Sequence, residues 1–131
     1  MEPVPAFLTA LVTTVVFLVG AAVMGRKRLI KQHVILVGCA VVSLGVAIVF
    51  ALRVGEIYDL EAAGAITPIH LNLARITTAA YLWPLLTGPL AVKGRVSPRV
   101  HRTGAYVAIV LTLAATVTGA LMLMGAEPLP E

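Results

Sequence analysis

Four apolar runs, roughly residues 5–25, 33–54, 67–92 and 102–125, occupy almost the whole chain, and each is long enough to cross a bilayer. A spanning helix needs about 20 predominantly apolar residues, because in lipid the backbone polar groups must be satisfied within the segment. Four such runs in 131 residues leave no room for a soluble catalytic domain. The expected fold is all-α, an integral membrane four-helix bundle with residues 1–131 as a single membrane domain. A hydrophobic content of 60% against 12% charged residues agrees with this. The net charge of +4 then reflects loop charge, not nucleic-acid binding.

The loops sort by sign. Arg26, Lys27, Arg28 and Lys31 follow the first run, and Lys93, Arg95, Arg99 and Arg102 follow the third, with no acid among them. Glu56, Asp59 and Glu61 fill the middle loop, while Glu2, Glu127 and Glu131 lie at the chain ends. The positive-inside rule places both basic loops in the cytoplasm and the N- and C-termini outside. The acidic leader "MEPVP" reads as the entry to a retained first helix, not as a cleaved signal peptide. Cys39 is the only cysteine, which excludes an intrachain disulfide and leaves it a packing residue.

Small residues mark the packing faces: Gly38, Ser43, Gly45, Ala47 and Ala51 in the second run, and Gly104, Ala108, Ala115 and Gly119 in the fourth. Such faces let backbones approach closely in lipid, and they would serve a compact bundle or a homo-oligomer alike. Pro84 should kink the third run, with Thr77, Thr78 and Thr87 available to compensate freed carbonyls.

A weak repeat underlies the pattern. "GRKRLIKQH" and "GRVSPRVH" each open with Gly-Arg and place a basic residue two positions before a histidine, Lys31 before His33 and Arg99 before His101. A parallel repeat would set these two histidines across the bundle at one depth, the arrangement that a bis-histidine haem requires. Their basic neighbours, Arg99 among them, suit haem propionates better than a bare cation.

His70 stands apart, at the outer start of the third run, where Thr67 is expected to cap the helix and Pro68 to occupy its first turn. With Met122 or Met124 it would suit Cu(I) or a His/Met haem. His33, His70 and His101 are thus the candidate metal ligands, and all three lie at starts of spans. Arg75, inside the third run, is the costliest charge; Asn72, the outer-loop acids and a haem propionate are its candidate partners, and snorkelling to the surface is the alternative. No phosphate loop, HExxH, Ser/His/Asp set or intramembrane carboxylate is present, so an enzyme acting alone is not expected.

Taken in order, "KQH", "IHLNLA", "YLWPLL", "HRTGAY" and "TVTGALMLM" resemble the YozB/CtaM-like family of small bacterial membrane proteins over roughly residues 26 to 124. The segment after His33, "HVILVG", is wholly apolar where that family carries a methionine and polar residues. The resemblance implies a protein of the bacterial cytoplasmic membrane linked to biogenesis of haem-copper oxidases, with His33, His70 and His101 as the family's histidines. Three readings stay open: an accessory or assembly factor of a respiratory oxidase handling haem or copper, a small b-type cytochrome exchanging electrons with quinone, and a cofactor-free structural subunit of a larger membrane complex. Four-helix cytochromes of the b561 type fit less well, since they place paired ligands on opposite membrane sides.

Overall fold

A computed structural model describes residues 2–130. The chain folds into α1 (Pro3–Arg26), α2 (Ile30–Ile57), β1 (Tyr58–Asp59), a 3-10 turn (Glu61–Ala63), α3 (Ile66–Ala80), α4 (Leu82–Val92), α5 (Pro98–Gly125) and β2 (Glu127–Pro128). It is an almost wholly helical protein, and α1, α2 and α5 are each long and apolar enough to cross a membrane. The third apolar run is instead two helices in succession. Pro84 has no N–H to offer the carbonyl of Ala80, the last residue of α3, and Tyr81 joins the two helices in helical conformation. The neighbouring threonines do not answer that vacancy as expected. Thr77, Thr78 and Thr87 donate to the carbonyls of Leu73, Ala74 and Trp83, one turn before each. The start of α3 also differs from expectation: it begins at Ile66, the cap position is Ala65 with no side-chain cap, and Thr67 is buried inside the first turn.

Two units are distinguishable, one formed by residues 2–62 with 126–130 and the other by residues 63–125. In the first, α1 packs on α2, burying Ala6, Ala10, Thr14 and Ala21 against Ala40, Ala47 and Val54, the last three at heptad spacing. Only side chains this small let helices close without a hydrophobic force between them. Ser43 adds a hydrogen bond to the Ala10 carbonyl at 2.8 Å. Gly38 and Gly45 are not part of this contact, since a Cβ on either would meet nothing within 4 Å. Cys39 is half-buried and lines a shallow apolar groove with Phe17, Ile35 and Val42. The acidic loop is tied down by an antiparallel pairing of β1 with β2, Asp59 opposite Glu127, and by the Leu129 N–H on the Ile57 carbonyl at 3.0 Å.

In the second unit α5 packs on both α3 and α4, with Gly104, Ala108, Thr112, Gly119 and Met122 buried on its inner side. The Tyr81 hydroxyl meets the Thr112 hydroxyl at 2.8 Å, and Thr77 reaches the Leu111 carbonyl at 3.3 Å.

The two hairpins repeat one another in register. α2 and α5 are both 28 residues long, each has its histidine as fourth residue, and Ala40 with Ala108 and Val54 with Met122 are buried counterparts. At a single constant offset, α1 and the α3–α4 run pair Pro5 with Pro68, Thr14 with Thr77, Ala21 with Pro84 and Gly25 with Gly88. The counterpart of Gly25 is thus Gly88, within α4, and not Gly94 of the loop. The length difference falls around the turn: the loop is residues 27–29 in one hairpin and 93–97 in the other, and α4 runs on to Val92, past Pro89, the counterpart of Arg26. A size swap accompanies the repeat: Gly20 faces Leu36 in the first hairpin, and at the same position Trp83 faces Gly104 in the second.

Both loops close their helices by the same cap. Arg28 N–H bonds Gly25 and Leu29 N–H bonds Met24, as Gly94 N–H bonds Ala91 and Arg95 N–H bonds Leu90. The left-handed residue is glycine in one (φ 69°) and Arg28 in the other (φ 59°). Arg28→Gly is therefore expected to stabilise the first hairpin by about 1 kcal/mol, read as a raised denaturation midpoint in detergent.

Candidate functional site

The three histidines share one seat. His33 lies over Gly25 with Nδ1 2.7 Å from the Ala21 carbonyl, four residues before that glycine. His101 lies over Gly88 with Nδ1 3.1 Å from the Pro84 carbonyl, again four residues before, and 3.4 Å from Thr87 Oγ1. His70 lies over Gly119 with Nδ1 3.1 Å from the hydroxyl of Thr118, the residue before that glycine. The glycine is what admits the ring: a Cβ would stand 3.1 Å from His33 Nδ1, 3.2 Å from His101 Cε1 and 2.8 Å from His70 Cε1. A helix carbonyl has a second lone pair beyond the one its own helix uses, and the imidazole takes it.

These bonds fix the chemistry of the rings. A carbonyl oxygen only accepts, so Nδ1 of His33 and of His101 carries the proton and, in the neutral ring, Nε2 carries the lone pair. For His70 the same conclusion follows through Thr118, whose hydroxyl donates to the Ala114 carbonyl at 3.0 Å and therefore offers Nδ1 an oxygen lone pair. Thr87 stands in the same relation to His101, donating to the Trp83 carbonyl. A backbone- or hydroxyl-anchored Nδ1–H is the arrangement that orients a ligating imidazole and raises the basicity of its other nitrogen.

The seats lie at different ends of the hairpins. His33 and His101 open their helices directly after the basic loops, with Arg99 exposed one turn-fraction before His101. His70 is near the start of α3, and its seat near the end of α5. Between His101 and Gly119, α5 rises about 27 Å at 1.5 Å per residue, close to the thickness of a hydrocarbon core. His70 and His101 therefore cannot ligate one ion. Consistent with this, no three His, Cys, Asp or Glu side chains gather among the described residues.

Arg75 is exposed and makes no ion pair or hydrogen bond among the described residues, so it offers its charge outward from α3. Met122 is buried on the inner side of α5, whereas Met124 is 84% exposed. The seats themselves, Gly25, Gly88 and Gly119 with Thr87 and Thr118, are the residues that the histidines alone did not reveal. Their one trace in the sequence is a glycine inside an apolar helix, twice in the dipeptide Thr-Gly.

No protein-family model, curated protein or solved structure matches this chain.

Proposed function

We propose that this chain is a four-span protein of the bacterial cytoplasmic membrane, basic loops inward, that handles haem as an accessory or assembly factor of a respiratory haem-copper oxidase. The observation that carries the haem reading is the common seat of His33 and His101, which fixes each neutral ring with its lone pair at Nε2. Haem iron is taken by such imidazoles, and second-shell anchoring of Nδ1 is what holds them in place. Lys31 and Arg99, two residues before each histidine, supply cationic partners for propionates. The link to an oxidase rests on the family resemblance of the histidine-bearing segments.

Protein purified in mild detergent is expected to show sharp reduced-minus-oxidised haem bands. His33→Ala and His101→Ala should each abolish them while leaving the helical circular dichroism intact. A colourless wild-type protein reconstituted with haem would overturn the reading. If the bound haem is reduced directly by a quinol, the chain acts as a b-type cytochrome in its own right. If loss of the chain lowers the amount of assembled oxidase, it acts as an accessory.

A further inference from the structure

Matching the two hairpins residue by residue exposes one end where they part company. In the first, the positions are Phe7 on α1 with Phe50 and Val54 on α2, three apolar side chains. In the second, the same positions are His70 on α3 with Thr118 and Met122 on α5, and Ala51 is replaced by Gly119. Three apolar side chains have thus been exchanged, in one copy only, for a nitrogen, an oxygen and a sulfur, together with the glycine that admits the ring. A packing role needs none of these changes, as the first hairpin demonstrates.

From this we infer that the outer end of the second hairpin is a Cu(I) site, with His70 Nε2 and the Met122 thioether as protein ligands. Thr118 holds Nδ1–H of His70 at 3.1 Å, so the lone pair of the neutral ring is at Nε2. Met122 is one turn beyond Gly119 and Thr118 on α5 and is buried on the inner side of that helix. A neutral nitrogen paired with a thioether suits a soft monovalent cation better than Zn²⁺ or Ca²⁺. Thr118 is a positioning residue. The site stands about 27 Å along α5 from His101 and is independent of the haem reading.

The test is an anaerobic titration of the full chain in detergent with Cu(I) against a coloured Cu(I) chelator. Wild type should withdraw one equivalent, and its X-ray absorption should show a sulfur scatterer. His70→Ala and Met122→Leu should each lose binding, the latter keeping the core volume filled. Thr118→Val should weaken it about 10- to 100-fold, with Thr118→Ser restoring it. His33→Ala and His101→Ala should bind copper as wild type does. Wild type failing to compete, His70→Ala binding as tightly as wild type, or absorption spectra without sulfur would each overturn the site, whatever the haem spectrum shows.

Discussion

Gly104→Ala should destabilise the second hairpin by about 1–3 kcal/mol, measured as a lowered unfolding midpoint in mixed detergent micelles. A Cβ at that position would stand 2.7 Å from both Cδ1 and Cγ of Trp83 and 2.9 Å from Cδ2. Cγ is the root of the indole, so the ring cannot swing clear without moving α4 or leaving its rotamer. In the first hairpin the same contact is built the other way round, with Gly20 against Leu36. The double variant Trp83→Gly with Gly104→Leu should therefore recover much of the loss. A double-mutant cycle without coupling between the two positions would contradict this account.

Gly119→Ala makes an equally close contact and should have the opposite profile. The added Cβ meets His70 at Cε1, 2.8 Å away, at the far end of a side chain with two free torsions. The ring turns aside at little cost to stability, but Nδ1 leaves Thr118 and Nε2 leaves its bearing. The expectation is a near-wild-type unfolding midpoint with a roughly 10- to 100-fold loss of Cu(I) affinity, the penalty for a ligand whose outer support is gone. A variant that unfolds readily yet binds copper normally would show that the glycine serves packing alone.

The helices were legible in the sequence because hydrophobicity and loop charge act locally. Runs of apolar residues bounded by Arg26 to Lys31 and by Lys93 to Arg102 fix where the hairpins turn. The break at Tyr81 was half legible: Pro84 announces it, but the threonines beside it bond their own preceding turns instead of the freed carbonyl. The repeat was visible only around the histidines, and in a misaligned form that matched Gly25 with Gly94. Its true register pairs Gly25 with Gly88, because what the fold preserves is the distance from each glycine to the carbonyl four residues back. That quantity leaves almost no mark on composition. Likewise His70 was separable from its fellows by position, while the bond to Thr118, 48 positions away in the chain, required the fold.

The exchange of bulk between Gly20·Leu36 and Trp83·Gly104 bears on how the chain chooses its partners while it is threaded into lipid. All of its long helices are similarly oily, so greasiness cannot tell α1 which neighbour to take. Shape can. Mispairing α4 with α2 would drive Trp83 onto Leu36, and mispairing α1 with α5 would leave a hollow between Gly20 and Gly104. Each wrong match is penalised, one by collision and the other by emptiness, so two hairpins alike in register carry their own key against shuffling.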